Sequence, residues 1–92
     1  MSRLEMVLSR IKDFSRKLSL YHDSLIPKAR QAMEVSQSAF STGELDFINL
    51  IDSQRTLLAL ELSYERALAD YNQQLALLEM LLGKEISNQN KG

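Results

Sequence analysis

The sequence has no cysteine and no tryptophan, one proline, one histidine and three glycines among its 92 residues. Without cysteine, neither a disulfide framework nor a thiolate metal site can form. Long apolar runs are also missing. The stretches Leu57 to Leu60 and Leu75 to Leu78 are four residues each, against the roughly 20 that cross a bilayer as a helix. Charge of one sign is equally scarce: 11 basic against 12 acidic side chains leave a net charge of -1. That balance removes the attraction on which non-specific binding to nucleic acid or acidic lipid depends, so neither is an expected partner. The opening Met1-Ser-Arg-Leu-Glu-Met interleaves charges with apolar residues and builds no hydrophobic signal core, so no export signal is expected in this stretch. The length and the 45% apolar content fit one ordinary folding unit.

What is present is heptad periodicity. Steps of seven from Leu4 give Ile11, Leu18, Leu25, Ala32 and Ala39; steps from Val7 give Phe14, Tyr21, Lys28 and Val35, with Lys28 the polar interruption. Further on, Leu50, Leu57, Tyr64, Tyr71 and Leu78 form one series, with Leu68, Leu75 and Leu82 in a row beside it. Both segments read as amphipathic helices, and the fold class is all-α. Gly43 can adopt the left-handed conformation that closes a helix, and Asp46 can cap the next. The expected layout is a helix over 3–40, a turn at 41–45, a helix over 46–82 and, after a second glycine stop at Gly83, a disordered polar tail over 84–92. Each helix would be about 55 Å long at 1.5 Å per residue.

Pro27 lacks an amide hydrogen and its ring crowds the preceding turn, so the first helix should bend near Ser24 to Ile26, with a complete break there the alternative. Before it the seam is bulky (Leu18, Tyr21, Leu25); after it the residues are small (Ala29, Ala32, Ser36, Ala39), which would draw a neighbouring helix closer toward the turn. Residues 1–41 carry seven basic and four acidic side chains, a net +3, and residues 42–83 carry two basic and seven acidic, a net -5. Opposite signs favour a long antiparallel, coiled-coil-like hairpin, although each exposed pair contributes only about 0–1 kcal/mol. Each helix of such a hairpin covers only one stripe of the other, so the chain is expected to associate with further helices.

Catalytic chemistry finds little footing. The single histidine, His22, stands beside Asp23 within a helix, where adjacent side chains point about 100° apart, and both read as solvated polar residues. No Glu-x-x-His element, inward carboxylate set or glycine-rich phosphate cradle occurs, so no catalytic residue, metal site or cofactor is expected. The densest polar cluster follows the turn: Glu44, Asp46, Asn49, Asp52, Gln54 and Arg55. Asp46, Asn49 and Asp52 are spaced by three, with Arg55 completing the row, as in a capped and solvated helix start where Asp52 pairs with Arg55. The intervening Phe47, Ile48, Leu50 and Ile51 form a patch too broad for one partner helix and suggest an oligomer contact.

Residues 20–82, about two thirds of the chain, resemble the C-terminal helical hairpin of the TolC-type outer-membrane efflux proteins. The similarity is carried by Leu20-Tyr-His-Asp-Ser-Leu-Ile-Pro-Lys-Ala-Arg-Gln-Ala, by Phe40-Ser-Thr-Gly-Glu-Leu-Asp-Phe-Ile-Asn-Leu-Ile-Asp-Ser-Gln-Arg-Thr-Leu and by Tyr64-Glu-Arg-Ala-Leu-Ala-Asp-Tyr-Asn. In that family three subunits assemble a tunnel of long helices hanging from a β-barrel, and hairpins of this kind taper to its periplasmic entrance. The resemblance implies a non-catalytic transport component of the outer membrane and periplasm. Its tip, Thr42, Gly43, Glu44 and Leu45, would meet the periplasmic adaptor protein of an inner-membrane pump. Asp52 matches an acidic position that rings the entrance, Arg55 a position whose polar links hold it closed, and Ile48 an apolar constriction position. Asn49 stands where many members carry another Asp, Phe40 where many carry Tyr, and Leu45 where some carry a basic residue, so this gate would have less charge and fewer polar latches. A ring of Asp52 carboxylates in a narrow pore would attract cations.

Barrel strands, a second hairpin and a signal peptide are absent from the sequence, so the chain is expected to be a soluble piece of a larger parent, which would reach the membrane only through its barrel. Two other readings remain open. One is a stand-alone homo-oligomeric coiled-coil interaction protein, in which Phe47, Ile48 and Ile51 seal a bundle. The other is an enzyme of the small all-helical chorismate mutase type, suggested by length and by Asn49-Leu-Ile-Asp-Ser-Gln-Arg-Thr-Leu-Leu. That chemistry needs several convergent cations, whereas the second helix offers Arg55 and Arg66.

Overall fold

The computed structural model describes residues 2–90, with side chains described over 2–86. Helix α1 spans Arg3–Leu20 and starts at an N-cap: Ser2 is extended and its hydroxyl accepts a hydrogen bond from the Glu5 amide at 3.1 Å. A five-residue π-helical turn, Tyr21–Leu25, leads without interruption into α2, Ile26–Ser41. Pro27 therefore bends this long helix without breaking it. The Ile26 amide donates to the Tyr21 carbonyl five residues back. This wider turn accommodates a proline that has no N–H to give the Asp23 carbonyl and whose ring would collide with that carbonyl in α geometry.

The reversal is made by a Schellman cap. Gly43 has φ 78°, its amide donates to the Phe40 carbonyl at 3.1 Å, and the Glu44 amide donates to the Ala39 carbonyl at 2.9 Å. Asp46 then starts α3, Phe47–Asn90, by accepting the Asn49 amide on its carboxylate at 3.2 Å. α3 runs back along both α1 and α2, giving an antiparallel all-α hairpin of 75 × 18 × 15 Å.

The seam of α3 follows its heptads. Leu50, Ser53, Leu57, Leu60, Tyr64, Ala67, Tyr71, Gln74, Leu78 and Leu81 are all buried or half-buried. In α1 and the turn after it the matching residues are Leu4, Val7, Ile11, Phe14, Leu18 and Tyr21. Beyond Pro27 the expected seam holds at Ala29, Ser36 and Ala39, which are half-buried, and is corrected elsewhere: Lys28, Ala32 and Val35 are exposed, and Ile26 and Met33 join the seam. Small residues still meet there, with the Ser36 and Ser53 hydroxyls 2.8 Å apart between α2 and α3. Among the described residues the buried apolar side chains are Val7, Ile26, Leu50, Leu57 and Ala67, a thin core for a rod of this length.

The expected stop at Gly83 is also corrected. Gly43 is the one glycine with positive φ among the described residues, and the helix continues through Gly83 to Asn90. A glycine costs a helix only about 0.5–1 kcal/mol relative to alanine, and ends one only when a left-handed cap with bonded carbonyls follows. Of the expected disordered tail over 84–92, the first seven residues are thus helical, and Lys91 and Gly92 lie outside the described residues.

Candidate functional site

The turn and the first turns of α3 form one surface. At the tip, the Thr42 hydroxyl donates to the Ala39 carbonyl at 3.1 Å and the Ser41 hydroxyl donates to the Gln37 carbonyl at 3.0 Å, so α2 carbonyls near the reversal are satisfied locally. Thr42, Gly43 and Glu44 are exposed and Leu45 is half-buried. Phe40 and Phe47 flank the reversal with ring centroids 6.0 Å apart in a tilted arrangement, a contact that ties the end of α2 to the start of α3. Beside them, Val35, Ser38, Ala39, Thr42 and Glu44 line a shallow depression of about 280 Å³ that opens to solvent.

On α3, Ile48, Asp52 and Arg55 recur at intervals of four and three and so share one face. Asn49 lies next to this row, and Leu50, Ser53 and Leu57 point the other way, into the seam. Ile48 is 71% exposed, and Asn49, Asp52 and Arg55 are exposed with it. Along one flank of the row, Phe47, Leu58 and Leu62 are exposed and Ile51 is half-buried. The structure thus brings the four sequence-derived gate residues onto a single uncovered surface directly behind the tip.

Two expectations about charge are corrected. Among the described residues Asp52 and Arg55 form no ion pair; Arg16 pairs with Asp13 at 3.7 Å, and His22 and Asp23 share a hydrogen bond at 2.9 Å. None crosses the seam, so the opposite net charges of the two arms act only as a diffuse field. An exposed pair is too weak to hold two long side chains in one geometry. The second correction concerns His22, whose Nδ1 lies 2.9 Å from Asp23 Oδ1 although the two are sequence neighbours. Both sit in the π-helical turn, whose wider winding differs from the α geometry that keeps neighbours apart. The His22 ring is also 6.0 Å from that of Tyr64, over an open depression of about 220 Å³ lined by Leu18, Ser19, His22, Asp23 and Tyr64. At 71% and 72% exposure, the pair is nevertheless solvated as expected.

Sequence reasoning missed the Ser36–Ser53 contact and the π-helical turn. The signals for the turn were there in the adjoining Pro27 and Lys28, a helix breaker followed at once by the one polar residue in the heptad row. Comparison with protein-family models, curated proteins and solved structures finds no match.

Proposed function

We propose that this chain is the entrance hairpin of a TolC-type outer-membrane efflux duct, working without catalysis through helix movement and contact with a periplasmic adaptor. One observation carries the reading: Ile48, Asn49, Asp52 and Arg55 lie uncovered on one face of α3, flanked by the exposed Phe47, Leu58 and Leu62, behind a tip closed by Gly43. A hairpin that functioned alone would be expected to bury that apolar flank or make it polar. In a tubular assembly of three parents, neighbouring hairpins would cover the flank and leave the Ile48, Asp52 and Arg55 row for the lumen. The sequence similarity around the turn supports the same arrangement.

Under this reading, three Asp52 carboxylates converge at the narrow end, where their summed field concentrates cations. Arg55, one turn on, links to polar groups of a neighbouring hairpin and holds the entrance shut; Ile48 narrows it, and Asn49 adds a hydrogen-bonding but uncharged latch. Thr42, Gly43, Glu44 and Leu45 present the docking tip to the adaptor, which connects the duct to an inner-membrane pump. The test is electrical: in the full-length parent reconstituted in a bilayer, Asp52→Ala should weaken block of conductance by divalent cations, and an unchanged block would remove Asp52 from the gate.

A second reading, a stand-alone homo-oligomeric coiled-coil protein, is favoured by the same exposed Phe47, Leu58 and Leu62. It gives no role to the unpaired Asp52 and Arg55, which a sealed bundle would leave in solvent.

A further inference from the structure

The two halves of the first arm follow different heptad frames. From Leu4 to Leu25 the covered residues are Leu4, Val7, Ile11, Phe14, Leu18, Tyr21 and Leu25; from there to Ser36 they are Ile26, Ala29, Met33 and Ser36, each one position later than the first frame dictates, and at the reversal Ala39 is half-buried and Phe40 exposed. Lys28, Ala32 and Val35, which an unbroken frame would bury, are exposed, Val35 at 63%. At the junction Ser24, Leu25 and Ile26 are all at least half covered. Three successive residues cannot share one side of a regular α-helix, where each step turns about 100°. The π-helical turn Tyr21–Leu25 sits at this junction, and a π turn holds one residue more than an α turn.

We infer that the π-helical turn is a one-residue insertion, held in place by Pro27, that sets which face of α2 meets α3 and therefore which face of the tip-proximal hairpin is offered to a partner. α2 carries two faces of similar period. One is Ile26, Ala29, Met33 and Ser36; the other is Lys28, Ala32, Val35 and Ala39. Seating the second would press the Lys28 ammonium toward an apolar seam, a cost the shift avoids. Seating the first brings Ser36 to Ser53 and turns Lys28, Ala32 and Val35 outward as a basic and apolar strip leading to the tip. Pro27 fixes where the extra residue goes, because the α geometry it disfavours is that of the turn immediately before it.

Because the chain has no cysteine, an introduced pair reads the frame directly. Ser36→Cys with Ser53→Cys should give an intramolecular disulfide, and Val35→Cys with Ser53→Cys should not. Deleting Asp23 together with Pro27→Ala removes both the extra residue and its cause, so the two frames join in one continuous α-helix. Built into the Ser36→Cys, Ser53→Cys background, that variant should keep the disulfide and full helical circular dichroism. Deleting Arg30 instead brings Glu34 and Gln37 to the places of Met33 and Ser36, and should abolish the cross-link. Deleting Asp23 with Pro27 retained should lower the melting temperature relative to the Pro27→Ala deletion variant. Loss of the cross-link or of folding in the Asp23 deletion with Pro27→Ala, or its persistence after deletion of Arg30, overturns the insertion. An equal melting temperature with proline retained overturns the role given to Pro27.

Discussion

Two glycines in this chain look alike in the sequence and act differently in the structure. Gly43 has φ 78° and supports two cap hydrogen bonds, whereas Gly83 lies inside α3, and a Cβ at either position meets no atom within 4 Å. Space is therefore not what separates them; backbone conformation is. Gly43→Ala should destabilise the hairpin by about 1–2 kcal/mol, the cost of holding an L-residue in the left-handed region. Gly83→Ala should stabilise it by about 0.5–1 kcal/mol through lower chain entropy in the unfolded state. Urea denaturation at fixed chain concentration measures both. The sequence made the Gly43 turn and the Asp46 cap legible because polar cap chemistry is local; it misplaced the end of α3 because nothing local distinguishes a tolerated helical glycine from a terminal one. Of the candidate site, the shared face of Ile48, Asp52 and Arg55 follows from spacing alone. The absence of an Asp52–Arg55 pair does not, since weak exposed pairs are decided by side-chain entropy and solvent.

At the scale of elements, α3 and α1 were readable from their heptads because packing there keeps one uninterrupted period. The frame of α2 was not, because a seven-residue count passes straight through the π-helical turn, and the marks it does leave, Pro27 and the polar Lys28, read equally well as a bend and an interruption. Counted afresh from Ile26, the pattern is regular as far as Ser36, and Lys28 ceases to be an interruption. The Ser36–Ser53 contact gives an independent handle on this packing. Ser53→Ala should cost about 1 kcal/mol by removing the partner of a part-buried hydroxyl, and adding Ser36→Ala should cost little more. A double-mutant cycle in urea reads the coupling directly; additive losses would mean that the hydroxyls do not depend on each other.

As a whole molecule the hairpin is a rod 75 Å long and 18 Å across at most in its shorter dimensions, held by a single seam. No helix among the described residues is long and apolar enough to cross a membrane. Its buried residues, Val7, Ile26, Leu50, Leu57 and Ala67, are few for that length, while Phe47, Ile48, Leu58 and Leu62 remain uncovered on α3. Small cores of this kind depend on association for robust stability. Sedimentation at micromolar concentration should therefore show more than one chain per particle, and a stable, folded monomer would contradict that expectation. The central claim, that these 92 residues belong to an efflux duct, is tested most directly by an immunoblot of fractionated source cells with an antibody raised against the chain. The account predicts a band several times larger than 10.5 kDa in the outer-membrane fraction; a 10.5 kDa band in the soluble fraction alone would contradict it.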